Sequence, residues 1–216
     1  MNVLALANDS QKEELLSLSV ASSIRIKWIE TTADISADES FDACIDLLFD
    51  NNPGRVVWLK KLCTASGEQS PLIIINAVSI PLKDIREDFI RINGWNTFLK
   101  RSVIEAAAFN SNLKTSAEEL FLNLGKKTEW VPDIAGFITP RVVASIINEA
   151  FFALEENVST EEEIDTAMKT GTNYPYGPFE WSKKIGLPHI YSLLTALSKE
   201  QQRYQPSALL KQTVLA

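Results

Sequence analysis

Short apolar runs alternate with amphipathic stretches along the first 130 residues of the chain, which is the pattern of strands separated by helices. The clearest buried strand is predicted at residues 72–75, where every side chain is apolar. Strands connected through helices pair in parallel, so we expect an α/β sheet with helices on both faces. The other predicted strands are at residues 3–7, 24–29, 43–48, 90–93 and 103–107, and helices are predicted at residues 13–18 and 55–62.

After a linker predicted at residues 130–133, the pattern becomes helical throughout. Thr139 is predicted as the N-cap of the next helix, with Pro140 at its first position. No β pattern follows the linker. The predicted fold class is therefore α/β plus all-α, with an α/β domain at residues 1–130 and a helical domain at residues 131–216.

A second helix of this part has signals at both of its ends. Thr160 and Glu163 have the spacing of a capping box, in which each side chain accepts a hydrogen bond from the backbone N–H of the other residue. Gly171 is predicted to end this helix in the left-handed conformation. At least one further helix is predicted between residues 181 and 215.

The composition argues against several classes of function. A formal net charge of −7, with no concentration of Lys and Arg, is unsuited to binding along a nucleic-acid backbone. No apolar run is long enough to cross a bilayer and the N-terminus lacks the order of a signal peptide, so a cytoplasmic protein without a membrane partner is expected. Cys44 and Cys63 are too few for a disulfide framework and are expected to be reduced and packed. No metal site is expected.

The helical part carries several motifs in a fixed order, at residues 135–141, 164–168, 175–180 and 203–206. Their sequences are Ala-Gly-Phe-Ile-Thr-Pro-Arg, Ile-Asp-Thr-Ala-Met, Pro-Tyr-Gly-Pro-Phe-Glu and Arg-Tyr-Gln-Pro. In order and spacing they resemble the C-terminal helical domain of the 3-hydroxyacyl-CoA dehydrogenases, which is of the 6-phosphogluconate dehydrogenase C-terminal-like type. The resemblance implies a Rossmann-like NAD-binding-type domain before it and a homodimer formed through the helical domain.

The α/β part resembles the same family more weakly, but in register. Asn76 and Ser79 keep the polar positions of a family segment that follows a strand. Residues 91–98 resemble the segment that holds the catalytic histidine, and the resemblance places Asn96 at the position of that histidine. Glu105 then falls near the position of the glutamate that orients the histidine.

The cofactor loop departs from the family's pattern. A dinucleotide site needs glycines in the first strand-to-helix turn, so that the backbone can approach the pyrophosphate. The corresponding residues here are Ala7, Asp9 and Lys12, whose side chains would occupy that space, and Asp9 would repel the phosphates. Glu30 stands where a ribose-binding carboxylate belongs, or is a solvated charge at the end of a strand.

The catalytic positions depart from the pattern as well. Asn96 cannot accept a proton at neutral pH, whereas histidine titrates there. Pro140 replaces an asparagine that contacts the thioester carbonyl in the family. The segment after Glu30 is far shorter than in the family, where helices at this point help to hold the CoA nucleotide. The only histidine, His189, has no catalytic counterpart in the family and is interpreted as a packed or surface residue.

These departures favour a homologue that has lost NAD binding and catalysis, and that acts as a non-catalytic binding or interaction protein without a cofactor. The alternative is an active NAD-dependent 3-hydroxyacyl-CoA (3-hydroxybutyryl-CoA) dehydrogenase of fatty acid metabolism with an atypical site. A third hypothesis is a sensor in which Ser79, Asn96 and Glu105 face an acyl-CoA or another small ligand between the domains. No catalytic or cofactor-binding residue is assigned under the first hypothesis.

Overall fold

The computed structural model describes residues 1–32, 39–49, 52–65 and 70–216 of the chain. These residues form two compact units, Met1–Phe137 and Ile138–Ala216.

The boundary between the units follows the segment of residues 131–137, which the sequence pattern assigns to the helical side. Arg91 of the first unit donates to the carbonyl oxygen of Ile134 at 2.7 Å, and the N–H of Gly136 donates to the carbonyl oxygen of Val78 at 2.8 Å. Asp133 accepts from the N–H of Leu82 at 3.0 Å. These bonds attach the segment to the first unit.

The described part of the first unit is a seven-stranded sheet with the order β2-β1-β3-β4-β5-β6-β7. The strands are β1 Asn2–Leu6, β2 Arg25–Ile29, β3 Ala43–Asp46, β4 Leu72–Asn76, β5 Ile90–Ile92, β6 Val103–Ala108 and β7 Lys127–Trp130. The helices are α1 Asp9–Leu15, α2 Val56–Ala65, α3 Leu82–Ile85 and α4 Asn112–Asn123. Each predicted strand is present, whereas α3, α4 and β7 lie where the sequence pattern predicts no regular element. The helix predicted at residues 13–18 is wrong in its bounds, because α1 begins at Asp9, directly after its cap Asn8, and ends at Leu15.

The sheet departs from the predicted parallel pairing at one place. β5 and β6 are antiparallel, with Ile90 opposite Ala108 and Ile92 opposite Ala106. The connection between them, residues 93–102, contains no helix. A connection of this length without a crossover helix joins antiparallel strands.

Both faces of the sheet are covered, as predicted. Along β1, Val3 and Ala5 belong to one core cluster, and Leu4 and Leu6 belong to the other. This division follows from the alternation of side chains along a strand. The first cluster contains residues of α1 and α4, and the second contains residues of α2 and α3.

Both cysteines belong to the first unit and are free, as predicted. Cys44 is fully buried in β3, and burial raises the pKa of its thiol well above the ordinary value. The thiol of Cys63 also has a raised pKa, chiefly because of burial and with a contribution from the charge of Glu87. Neither thiol is therefore activated as a thiolate.

The second unit contains five α-helices, which are α5 Thr139–Glu155, α6 Glu161–Thr172, α7 Pro178–Ile185, α8 Leu187–Ser198 and α9 Ala208–Leu215, and a short 3-10 helix at Gln202–Tyr204. The predicted capping box is confirmed, since the N–H of Glu163 donates to Oγ1 of Thr160 at 3.3 Å and the N–H of Thr160 donates to Oε2 of Glu163 at 3.3 Å.

Two other predicted helix ends are wrong. Thr139 is the first residue of α5 and not its cap, because the cap is Ile138, which makes no side-chain capping bond. Gly171 lies inside α6, which ends at Thr172 and is capped by Asn173 with a φ of 56°. Asparagine also tolerates the left-handed conformation, so the helix continues past the glycine.

Asp165 explains the Pro-Tyr-Gly-Pro-Phe-Glu motif of the second unit. Its Oδ1 accepts from the N–H of Phe179 at 2.7 Å and its Oδ2 accepts from the N–H of Glu180 at 2.9 Å, which caps α7 from α6. A Cβ at Gly177 would lie only 2.3 Å from Cγ of Asp165, so glycine is required there.

None of the helices in the described ranges is both long enough and apolar enough to cross a membrane.

Candidate functional site

The carboxyl ends of β1, β3 and β4 meet at one edge of the sheet in the first unit. The chain leaves β1 toward β2 on one side, and β3 lies on the other side of β1. Ligands of open α/β sheets bind at such a point, where the strand order reverses. This edge is therefore the candidate site.

The N-terminus of α1, which begins at this edge, is capped by side chains of its own first turn. Asn8 Oδ1 accepts from the N–H of Gln11 at 2.9 Å, and Gln11 Oε1 accepts from the N–H of Asn8 at 3.2 Å. Asp9 adds a carboxylate to the same turn. In a dinucleotide site these N–H groups point at the pyrophosphate. The arrangement here bonds the N–H groups of Asn8 and Gln11 within the turn and places the negative charge of Asp9 beside them.

The side chain of Gln11 also crosses the crevice at the strand ends. Its Nε2 donates to the carbonyl oxygen of Leu47 at 2.9 Å and to that of Gly94 at 3.4 Å. Asn76 Nδ2 donates to the same Leu47 oxygen at 3.0 Å, and Asn76 Oδ1 accepts from the N–H of Gly94 at 3.0 Å. Gln11 and Asn76 are buried. This network joins α1 to the ends of β3, β4 and β5.

Gly94 is required by this network. A Cβ at its position would lie 2.9 Å from both Cβ and Cγ of Asn76, which is closer than real Cβ atoms approach other atoms. A larger residue would separate the N–H of Gly94 from the Asn76 amide and disrupt the network.

Of the predicted cofactor-loop residues, Ala7 lies in the turn between β1 and α1, and Asp9 and Lys12 lie in α1. Ala7 is buried in the core, and Asp9 is exposed. The ammonium of Lys12 lies 5.6 Å from the centroid of the Trp28 ring and so faces β2. Glu30 is exposed directly after β2. The residues present at this turn do not fit a pyrophosphate, because the N–H groups of Asn8 and Gln11 are bonded within the turn and the flanking charge is negative.

The predicted catalytic positions are divided between the two units. Asn96 is half-buried in the loop between β5 and β6, and Ser79 is half-buried in the loop between β4 and α3. Glu105 lies in β6, and its Oε2 accepts from Nδ2 of Asn93 at 3.1 Å. Pro140 is buried near the start of α5 in the second unit.

The loop that carries Asn96 is held by two charged residues that the sequence analysis missed. Glu14 of α1 accepts from the N–H of Thr97 through both carboxylate oxygens, at 2.7 and 2.8 Å, and Thr97 has a φ of 78°. Lys126 is buried, and its ammonium donates to the carbonyl oxygens of Leu99 and Arg101. Burial lowers the pKa of Lys126 to about 8, against the opposing effect of Glu14.

A buried carboxylate lies at the end of β3, in the strand that resembles the acidic strand of the family. Asp46 is fully buried, and its Oδ1 accepts from the N–H of Leu48 at 3.0 Å and from Nη1 of Arg55 at 3.2 Å. Burial raises its pKa to about 6, because desolvation outweighs Arg55 and the Leu48 N–H. Its other oxygen, Oδ2, has no hydrogen-bond partner among the described residues.

His189 lies half-buried in α8 of the second unit, and burial lowers the pKa of its imidazole. In the described residues, no group of three or more His, Cys, Asp or Glu side chains is arranged to hold a metal ion.

Comparison with known proteins places these features in a family. Residues 136–216 match the family model described as the C-terminal domain of 3-hydroxyacyl-CoA dehydrogenase. A 3-hydroxyadipyl-CoA dehydrogenase of Escherichia coli is 42% identical over 115 residues, covering 52% of this chain and 24% of the relative. A probable 3-hydroxybutyryl-CoA dehydrogenase of Bacillus subtilis is 28% identical over 222 residues, covering 98% of this chain and 76% of the relative.

A solved structure agrees with this assignment at the level of the fold. The (S)-3-hydroxybutyryl-CoA dehydrogenase of Ralstonia eutropha matches with a TM-score of 0.76 at 24% identity, covering 99% of this chain and 93% of the solved chain. The fold is thus a Rossmann domain followed by a helical domain. The chain belongs to the 3-hydroxyacyl-CoA dehydrogenase family.

Proposed function

We propose that this chain is a non-catalytic member of its family, which neither binds NAD nor transfers hydride and which acts through binding. The observation that carries the proposal is the position of Gln11. Its backbone N–H bonds to Asn8, and its side chain bonds to Leu47 across the crevice. One backbone donor of the first turn, and part of the crevice that a dinucleotide would use, are thus engaged by the chain itself.

The residue at the base position supports the same proposal. Transfer of hydride from a 3-hydroxy group requires a base that takes the hydroxyl proton, and a side-chain amide such as that of Asn96 is not basic enough. Loss of a general base costs roughly 10²–10⁴-fold in rate. Combined with a capped cofactor turn, this loss leaves no route for hydride transfer.

A binding role is proposed because the helical unit keeps its family features. The relatives are named for 3-hydroxyacyl-CoA substrates, so an acyl-CoA thioester of fatty acid metabolism is the small ligand that we propose. We also propose a homodimer formed through the helical unit. Ile138 and Val142, at the start of α5, are 56% and 53% exposed, which is consistent with a contact surface. A monomer by light scattering would contradict the dimer.

The alternative function is an active NAD-dependent dehydrogenase with an atypical site. One observation favours it: the Bacillus subtilis relative, whose name is that of a dehydrogenase, aligns with 98% of this chain. The alternative requires a base other than histidine and a nucleotide that displaces the Gln11 side chain.

A turnover assay separates the two functions. Purified protein at high concentration is mixed with acetoacetyl-CoA and NADH, and NADH consumption is followed against a catalytically active dehydrogenase as positive control. The proposal predicts a rate no greater than that without protein. NADH consumption that is proportional to protein concentration and lost in the Asn96→Ala variant would establish the alternative.

A further inference from the structure

Asn93 and Gly94, at the start of the loop between β5 and β6, are the only Asn-Gly pair in the sequence. Such a pair is prone to deamidation, because glycine has no side chain to hinder its backbone nitrogen and leaves the backbone free to bend. The glycine nitrogen attacks Cγ of the asparagine, and the side-chain nitrogen leaves as ammonia with the proton of the attacking N–H. Water then opens the succinimide that has formed, which gives aspartate or isoaspartate.

The folded chain restrains both reacting groups of this pair. Oδ1 of Asn93 accepts from the N–H of Trp95 at 3.4 Å, and Nδ2 of Asn93 donates to Oε2 of Glu105 at 3.1 Å. The N–H of Gly94, which is the attacking group, donates to Oδ1 of Asn76 at 3.0 Å. Asn93 and Asn76 are 4% and 3% exposed. Ring closure therefore requires a local opening in which all three hydrogen bonds break.

The product of the reaction does not fit the place of Asn93. Deamidation replaces the Nδ2 donor by a carboxylate oxygen, which would face the carboxylate of Glu105 at the distance of a hydrogen bond. Two negative charges at this separation repel each other, most strongly where burial limits solvation. The backbone N–H of Asn93 also donates to the carbonyl oxygen of Glu105, at 3.1 Å. The repulsion thus acts where the loop that carries Asn96 leaves the sheet.

We propose that Asn93–Gly94 is a latent site of covalent modification, which Asn76 and Glu105 hold unreactive and whose deamidation opens the loop between β5 and β6. The reaction needs only water, which enters when the loop opens. Neither NAD nor a thioester takes part, so the proposal is independent of the proposed function.

The first test compares the rate of deamidation in the folded and the unfolded full-length chain. The purified protein is incubated at mildly alkaline pH, with and without enough guanidinium chloride to unfold it. Mass spectrometry of the tryptic peptide of residues 92–100 follows the reaction, and fragmentation separates Asn93 from Asn96. We expect the reaction at Asn93 to be roughly a hundredfold slower in the folded chain, the combined effect of three hydrogen bonds. Equal rates in the two states would overturn the proposal.

Three variants show whether the hydrogen bonds themselves provide the protection. Glu105→Ala removes the acceptor of the Asn93 amide, and Asn76→Ala removes the acceptor of the Gly94 N–H. Each is expected to accelerate the reaction roughly tenfold, the effect of one buried hydrogen bond. Leu120→Ala creates a cavity in the core of the same unit but removes none of the three bonds, so the rate should not change while the chain stays folded. Rates that follow the free energy of unfolding across all three variants would overturn the proposal.

The last test concerns the opening of the loop. Asn93→Asp reproduces the aspartate product, and hydrogen exchange of the Gly94 and Thr97 N–H groups is expected to become roughly tenfold faster. Adding Glu105→Gln to this variant should restore slow exchange, because a glutamine amide donates to the new carboxylate. Exchange in Asn93→Asp that equals that of the unchanged chain would overturn the proposal, as would a double variant that exchanges as fast as Asn93→Asp alone.

Discussion

Gln11 and Leu47 are joined by a buried hydrogen bond, in which the side-chain amide of Gln11 donates to the backbone oxygen of Leu47 at 2.9 Å. Gln11 lies in α1 and Leu47 directly follows β3, so the bond spans the crevice at which the strand order reverses. Asn76 donates to the same oxygen at 3.0 Å. The chain thereby makes its own contacts where the fold otherwise receives a nucleotide.

The first prediction concerns the contribution of this bond to stability. Gln11→Ala is expected to lower the free energy of unfolding by about 1–3 kcal/mol, because it removes the side-chain half of the Asn8 capping box and leaves the Gly94 oxygen without this donor. Urea denaturation measures the change. Ser10→Ala, at an exposed neighbouring position of α1, is the control and should be near neutral. Equal stability of the two variants would show that the hydrogen bonds of the Gln11 side chain do not stabilise the fold.

The second prediction concerns the base position. Asn96→His is expected to give no NADH-dependent reduction of acetoacetyl-CoA, because a base alone cannot restore transfer from a cofactor that does not bind. The assay is NADH absorbance at high protein concentration, with the unchanged chain as control. Turnover in the variant would mean that the cofactor site is intact and that only the base has been lost.

The third prediction concerns pH. An aspartate in the unfolded chain has a pKa of about 4, whereas burial raises that of Asp46 to about 6 in the folded protein. Between about pH 4 and 6 the folded state therefore binds more protons than the unfolded state. The contribution of Asp46 to stability is full below about pH 4 and is lost as the pH rises through about 6.

The variant Asp46→Asn tests this contribution. It is expected to make stability less dependent on pH between about 4 and 6, as measured by urea denaturation at several pH values. Asp88→Asn, at an exposed position, should keep the slope of the unchanged chain. If the stability of Asp46→Asn depends on pH as strongly as that of the unchanged chain, a group other than Asp46 causes the dependence.

The fourth prediction concerns the helical unit. Asp165→Ala removes the carboxylate that accepts from the N–H groups of Phe179 and Glu180, and leaves the start of α7 without its cap. A loss of about 2–3 kcal/mol is expected, since a helix cap and two charge-assisted hydrogen bonds are removed together. Thermal unfolding measures it, with Glu162→Ala, at an exposed position of α6, as the control. A melting temperature equal to that of the control would contradict the role of Asp165.

The strands and helices can be predicted from the sequence because each depends on the local periodicity of apolar residues. The run at residues 72–75 and the Thr160–Glu163 pair each have one physical interpretation, and both are confirmed. The antiparallel pairing of β5 and β6 cannot be predicted from this periodicity, because the direction of pairing depends on how the chain returns to the sheet. The end of α6 is not predictable from Gly171 alone, because Asn173, two residues later, adopts the left-handed conformation instead.

The contacts of the candidate site do not follow from the sequence pattern. Ala7 lies in the turn after β1, whereas Asp9 and Lys12 lie in α1, which begins four residues before the helix predicted at residues 13–18. The bond from Gln11 across the crevice is visible only in the structure, although the spacing of Asn8 and Gln11 is that of a capping box. The bond from Thr97 to Glu14 joins residues far apart in the chain, which no local pattern reveals.

The most direct measurement of the central claim is a calorimetric titration of the purified chain with NADH, repeated in the presence of acetoacetyl-CoA. The account predicts no saturable heat from the crevice, because the first turn of α1 is capped by Asn8 and Gln11. Heat from acetoacetyl-CoA alone would agree with a thioester-binding role. Saturable NADH binding would contradict the account.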